Sequence, residues 1–238
     1  KLRATKGAQL RLKTYVRRNS AGQFMDAKEK QARFIKEEVQ AILKPLGYRK
    51  KNQYFYQHQN DLVRVLHFWK WKYNSVEEAR FQLDIGIFVP KVAQVFWKSR
   101  NLQNPTLPDC LLYLVASDVD PELPHQYTTN DQVDEARVAP QQKSLDDLSD
   151  TILPFLSQWS DSSEVVETIL SLDSRTAAHW DKAQGLEEQT AALCAIHGQK
   201  DLAIRLFAKV WHWRRHNLLQ IVQDCGLSAS EIEMKSKD

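Results

Sequence analysis

The feature that most restricts this chain is a set of period-two runs between Tyr54 and Val89, separated only by hairpin-length gaps. Tyr54 and Tyr56 alternate with Phe55. Val63, Val65, His67, Trp69 and Trp71 then alternate with Leu62, Leu66 and Phe68, and the two runs are joined by a tight turn at Asn60 and Asp61. In the next run Phe81, Leu83, Ile85, Ile87 and Val89 mark one face, and Arg80, Gln82, Asp84, Gly86 and Phe88 the other. Strands that follow one another at this distance leave no room for the crossover a parallel pair needs, so the sheet is expected to be an antiparallel meander. Pro90 ends the third run, Val92, Val95 and Phe96 suggest a short helix, and the apolar segment Cys110 to Ala116 supplies a fourth strand.

Before the sheet, Asp26 with Glu29 forms a capping-box pattern. Phe34, Ile35, Val39, Ile42, Leu43 and Leu46 recur at helical spacing, predicting a helix from about Ala27 to Lys44 that Pro45 and Gly47 stop. Residues 117–143 show little periodicity and read as an ordered loop with a short element near Tyr127. From Ser144 the pattern is helical: Ser144 as N-cap, a kink or break at Pro154, helices near Glu187–Ile196 and Asp201–Trp213 around a turn at Gly198, and a last helix ending at Gly226. The pair around Gly198 reads as a generic helical hairpin, since Val210 and Arg215 replace residues a tetratricopeptide repeat expects and no second copy is found. The expected fold class is therefore α+β, with about four strands packed by an N-terminal helix and followed by a C-terminal helical array. The organisation is a basic segment 1–24, an α+β domain 25–143 and a helical region 144–238. Met25 directly before the first helix suggests that the domain starts there.

With 238 residues, 42% hydrophobic and 26% charged, the chain has globular composition, and no run approaches the roughly 18 consecutive apolar residues of a membrane span. Cys110, Cys194 and Cys225 form no CxxC pair and no even-numbered framework, which suits idle thiols in a reducing cytoplasm. The net charge of +3 hides an asymmetry: residues 1–72 carry a net +13, and residues 109–188 a net −13. Such a division suits either halves that face each other or separate faces that meet separate partners.

Catalytic signatures are absent from the linear sequence. No GxxxxGK[ST], GxGxxG or GxSxG occurs, and seven glycines leave little material for phosphate-cradling loops. His212 and His216 stand at i, i+4, but Trp213, Arg214 and Arg215 lie between them and oppose a dication, so neither metal nor cofactor is expected. The leading expectation is a non-enzymatic cytoplasmic module that binds a basic protein through Asp118, Asp120, Glu122, Asp134, Glu135, Asp146 and Asp147. A second reading is nucleic-acid binding. Arg49, Lys50 and Lys51 precede Tyr54 and Tyr56, Lys70 and Lys72 interleave with Trp69 and Trp71, and residues 1–24 form a basic arm; bases stack on aromatics while cations neutralise phosphates. A third is an enzyme whose groups meet only in space, around His67, Asp84 and Cys110.

The segments LKPLGYRKK (Leu43–Lys51), YFYQ (Tyr54–Gln57), LVRVLHFWKWK (Leu62–Lys72), RFQLDIGIFVP (Arg80–Pro90) and PDC (Pro108–Cys110) together resemble a bacterial domain family known only as a domain of unknown function, number four-three-zero-four. DTILPFLSQWSDSSEVVETIL (Asp150–Leu170) is similar to the helical ending of such proteins, so the resemblance covers roughly residues 28–170. Leu111–Ala116 departs from it, lacking the arginine-rich strand and tryptophan pair. The resemblance implies a compact α+β domain with no established activity. By analogy with small domains of this type it suggests an immunity-type inhibitor of a toxin.

Overall fold

The computed structural model describes residues 26–98, 103–130, 139–171 and 186–237. The basic segment 1–24, with its proposed start at Met25, and the candidates Asp134 and Glu135 lie outside them. The first helix, α1, is one rod made of Ala27–Phe34, a π-helical turn Ile35–Val39 and Gln40–Leu43, closed by the 3-10 turn Lys44–Leu46. The Asp26 carboxylate accepts the Glu29 N–H at 2.8 Å, as the capping pattern requires, and Gly47 ends the rod at φ +87°, where a side chain would be strained.

The sheet has six strands, β1 (Arg49–Lys51), β2 (Tyr54–Gln59), β3 (Leu62–Lys70), β4 (Glu78–Phe88), β5 (Leu112–Val115) and β6 (Tyr127–Asn130). They are ordered β1-β2-β3-β4-β5, β6 also pairs with β4, and every pairing is antiparallel. Both tight turns place an asparagine in the left-handed region, Asn52 at φ 57° and Asn60 at φ 48°, which Asn tolerates better than most residues. β1 arises in the basic Arg49–Lys51 run, and β6 is the element expected near Tyr127. β5 and β6 lie end to end along one edge of β4: β5 pairs with Asp84–Ile87 and β6 with Glu78–Phe81.

Alternation gives the sheet two different faces. On one, Phe55, Leu66, Phe68, Phe81, Leu83, Ile85, Ile87, Leu112 and Leu114 meet Phe34, Val39 and Leu43 of α1 and apolar residues of the later helices, in one buried cluster that reaches Ile232. Phe34 and Phe81 stand 5.9 Å apart between ring centroids. On the other, a small cluster of Tyr56, Val63, Val65 and Phe88 packs under Ala93, Leu107 and Cys110. Ala93 belongs to the short helix α2 (Pro90–Phe96).

The helical half corrects several expectations. The chain forms a short helix α3 (Ala116–Val119) and begins its next long helix, α4, at Ala139, running through Ala139–Asp147, a π-helical turn Leu148–Ile152 and Leu153–Ser157. Ser144 is thus not an N-cap; it is buried inside the helix, where its hydroxyl donates to the Gln141 carbonyl. Pro154 does not break the rod, because the π-turn immediately before it changes the hydrogen-bond register that a proline would violate. After α5 (Ser163–Ser171) and α6 (Leu186–Ile196), Gly198 turns the chain at φ 74°. The expected helices Asp201–Trp213 and the one ending at Gly226 are a single 25-residue helix, α7 (Lys200–Asp224). Nothing between Trp213 and Leu218 interrupts a helix, and Ala203, Leu206, Phe207, Trp211, Leu218 and Val222 form one buried stripe. A further helix, α8 (Ala229–Lys235), packs beside it.

Candidate functional site

The β2–β3 and β3–β4 registers set Tyr54, His67 and Asp84 side by side across three strands, with Val115 of β5 next in the row. All of them point to the face opposite α1. His67 Nδ1 lies 3.0 Å from Asp84 Oδ2, the Tyr54 ring stacks on the imidazole at 4.1 Å between centroids, and Gln82 donates to Asp84 Oδ1 at 2.6 Å. Tyr113 of β5 also hydrogen-bonds the Asp84 side chain. The Asp84 carboxylate is buried and receives three neighbouring side chains, so its charge is compensated within the sheet. His67 and Asp84 therefore come together as the spatial-site reading expects.

Cys110 does not complete a catalytic group with them. Burial, with Asp109 adding to it, pushes its thiol far above the usual range, and its Sγ is 3.5 Å from the Thr106 carbonyl, to which it donates. A thiol held neutral in this way is a packing element and a poor nucleophile. It fills the space above Gly86, where a Cβ would stand 2.6 Å from Cys110 Sγ.

A second cluster resembles a hydrolytic triad in composition. Ser162 Oγ donates to Asp61 Oδ2 at 2.5 Å and lies 2.7 Å from His197 Nε2, while its N–H donates to Asp61 Oδ1 at 2.9 Å. The single hydroxyl proton goes to the carboxylate, so His197 must be the donor to Oγ. That is the reverse of a general base activating a nucleophile. The cluster joins the β2–β3 turn to the helical half, together with Asn60 donating to the Ser160 carbonyl.

The gap between β5 and β6 holds a recess of about 490 Å³, lined by Gln82, Tyr113, Leu114, Val115, Ser117, Asp118 and His125. The chain leaves the sheet after Val115, makes α3, and returns at Tyr127. Gln82 and Tyr113 bridge this recess to the Asp84 row. Burial raises the Tyr113 phenol most, and the negative charges of Asp84 and Asp118 add to the rise.

The expected acidic residues that are described differ in their surroundings. Asp118 lines the recess and accepts the Val115 N–H at 2.9 Å; Asp120 accepts the Glu122 N–H, and Glu122 is exposed beside it. Asp146 is exposed and accepts from Gln142, but Asp147 is buried, accepting from the Tyr127 hydroxyl and the Lys143 ammonium, and offers no contact surface.

The basic aromatic set is divided as well. Arg49 and Lys51 share the face of Tyr54 and Tyr56, whereas Lys50 lies on the other, 5.9 Å from the Phe55 ring centroid. Burial lowers the Lys50 ammonium first, then Lys70 and Lys36. Tyr56 is buried, and Tyr54 is stacked between Tyr56 and His67, so neither ring is available to a base. Aromatic exposure falls instead on Trp69, 37% exposed, and Tyr73, 71% exposed, with Trp71 between them and Lys72 over the Tyr73 ring at 4.7 Å.

His212 and His216 are both exposed on α7, and His212 is tied to the Ser236 carbonyl at 3.0 Å. Among the described residues no group of three potential metal ligands occurs, and no helix is long and apolar enough to cross a membrane. Sequence reasoning named His67, Asp84 and Asp118 but missed Gln82, Tyr113, Ser117 and His125. These four meet only because β5 and β6 share one edge of β4, and periodicity carries no trace of that.

No curated protein and no solved structure matches the chain. The sequence model of the family described as Domain of unknown function (DUF4304) matches residues 39–158, from the middle of α1 through β1 to β6 to the end of α4. That span holds the whole sheet, the His67–Asp84 row and the recess, and it covers half of the sequence: the chain belongs to the DUF4304 family.

Proposed function

We propose that this chain is a non-enzymatic, cytoplasmic protein-binding module that holds a basic partner against the recess between β5 and β6. The observation that carries this reading is the recess itself. It is concave, has a carboxylate in its wall at Asp118, lies beside the acidic turn Asp120–Glu122, and has no Lys or Arg among its lining residues. Complementary charge of this kind steers and orients a protein partner. An immunity-type inhibitor, which neutralises a basic protein by covering it, is the form of partner-binding that suits it. The neighbouring polar clusters satisfy one another: His67 with Asp84, and Ser162 with Asp61 and His197. The test is affinity purification from the native cell with the full chain and with Asp118→Lys/Glu122→Lys. One partner retained by the first and lost by the second is expected. Recovery of no partner, with a turnover that Asp84→Asn or His67→Asn abolishes, would overturn the reading in favour of an enzyme.

A second reading is supported by the exposed Trp69 and Tyr73 with the half-buried Trp71 between them, Lys51 on the same sheet face and Lys72 over the Tyr73 ring. It suits a single-stranded nucleic acid, with bases on the rings and phosphates on the lysines. Fluorescence anisotropy against single-stranded and duplex oligonucleotides at two salt concentrations tests it. Binding should weaken steeply with salt and fall in Lys51→Gln/Lys72→Gln and in Trp69→Ala. Salt-independent or absent binding at micromolar protein removes it.

A further inference from the structure

The recess has a chemistry more specific than negative charge. It is lined by Gln82, Tyr113, Leu114 and Val115 of the sheet and by Ser117, Asp118 and His125 of the segment between β5 and β6. Gln82 gives its amide N–H to Asp84, which leaves its carbonyl oxygen as the acceptor end. Asp118 spends one lone pair of Oδ2 on the Val115 N–H and keeps further acceptor capacity on both oxygens. Tyr113 hydrogen-bonds the buried Asp84 and shares the lining of the recess with Asp118, so both carboxylates act on this wall. At about 490 Å³ the recess is within the roughly 300–1,000 Å³ of clefts that take small ligands or single side chains.

This lining discriminates among ligands. An anion would meet the charges of Asp118 and Asp84. An apolar group would strand the polar atoms of Gln82, Ser117 and Asp118. An ammonium is a compact, strongly hydrated point charge that gains little from an aromatic wall. A guanidinium is planar, less hydrated, able to stack on a tyrosine ring and able to fork onto a carboxylate.

We propose that the recess between β5 and β6 is the seat of one arginine side chain of the partner protein, its guanidinium against Tyr113 and hydrogen-bonded to Asp118. The proposal rests on the protein-binding reading above and names the group that reading requires at the centre of the interface. Arginine is among the residues that anchor interfaces when seated in a pocket.

The probe is N-acetyl-arginine-N-methylamide, titrated into the full chain and followed by amide chemical shifts. The matching lysine and citrulline derivatives serve as comparisons. Citrulline keeps the shape of the guanidinium and removes its charge. The expected result is saturable shifts confined to Gln82, Tyr113 to Asp118 and His125 with the arginine derivative. Binding should be at least about tenfold weaker with the lysine derivative and undetectable with citrulline. Asp118→Asn keeps a carbonyl oxygen for the Val115 N–H, so α3 stays capped, and it should weaken the arginine derivative by about tenfold or more. Ser117→Ala, which removes no charge, should change it by less than about threefold.

Equal binding of citrulline, equal binding of lysine, or unchanged binding in Asp118→Asn would each overturn the proposal. If the arginine derivative does not bind while a partner is still captured and lost on charge reversal, the arginine seat is wrong and the protein-binding reading stands. If the derivative binds and no partner is recovered, assignment of the seat to a protein is overturned.

Discussion

The two faces of the sheet come from the same strands and do different things. The face under α1 is mainly apolar: Phe55, Leu66, Phe68, Phe81, Leu83, Ile85 and Ile87 are buried there, and the buried Arg64 beside Ile87 is satisfied by the Gln57 side chain and the Trp159 carbonyl. The opposite face carries the Tyr54–His67–Asp84 row, a glycine with a cysteine pressed onto it, and the open recess. The first face is held by area removed from water, which tolerates no gap but needs no direction. The second is held by hydrogen bonds and close approaches that depend on particular atoms. The hydrogen-bonded row and the recess lie on the face that α2 covers only in part, so the proposed binding surface is on the opposite side of β4 from α1.

Truncation on the apolar face should have the largest effect. Phe81 contacts Phe34, Phe68 and Tyr127, and Phe81→Ala is expected to cost about 3–5 kcal/mol in urea unfolding, through lost burial plus a cavity that its neighbours cannot close. A loss below about 1 kcal/mol would show that the helix face is not the main source of stability.

On the polar face, Gly86→Ala forces a Cβ to 2.6 Å from Cys110 Sγ and 3.3 Å from Cys110 Cβ. The expected cost is about 1–3 kcal/mol, typical of an overpacked core. Cys110→Ala should recover part of it when combined with Gly86→Ala, so a double-mutant cycle with no coupling would contradict the close approach.

Asp84→Asn should cost about 1–3 kcal/mol, because the amide returns only one acceptor oxygen to His67, Gln82 and Tyr113. If Asp84 acts only in holding the face, His67→Gln should lower the melting temperature and leave partner binding unchanged.

The smallest effect concerns pH. Burial chiefly, then Tyr54, Cys110 and Asp109, pushes the Tyr56 phenol from its ordinary 10 up to about 12. A raised value means that the contribution to stability is complete below pH 10, where the phenol is neutral in both states. It is lost as pH rises towards 12, because the unfolded chain ionises first. Unfolding free energy should therefore fall between pH 10 and 12, and Tyr56→Phe should flatten that fall. An unchanged slope would show that Tyr56 has no part in it.

Much of this was legible in the sequence. The alternation of Phe81 to Val89 fixed which side chains of β4 share a face, and the Asn60–Asp61 turn fixed how β2 meets β3, because the strand period of two leaves no freedom once a short turn is set. The Asp26 cap, the buried positions of α1 and the antiparallel order are likewise local consequences of residue type. Other features were not local. Ser144 has the chemistry of a helix cap and sits inside a helix, since the helix already begins at Ala139, and its hydroxyl bonds back to the Gln141 carbonyl.

The tertiary structure alone decided three things. The π-turn in α4 lets Pro154 remain inside a rod, because packing of Leu148, Ile152 and Leu156 against the core outweighs the irregular hydrogen bonds. The pairing of β5 and β6 on a single edge of β4 created the recess, and two four-residue strands separated by eleven residues do not announce a shared edge. Finally, the contact of Tyr113 and Gln82 with Asp84 joined residues from β4 and β5 into one polar wall. The sequence specified these side chains individually, through charge and period; which of them meet depends on distances between strands that only the closed sheet defines.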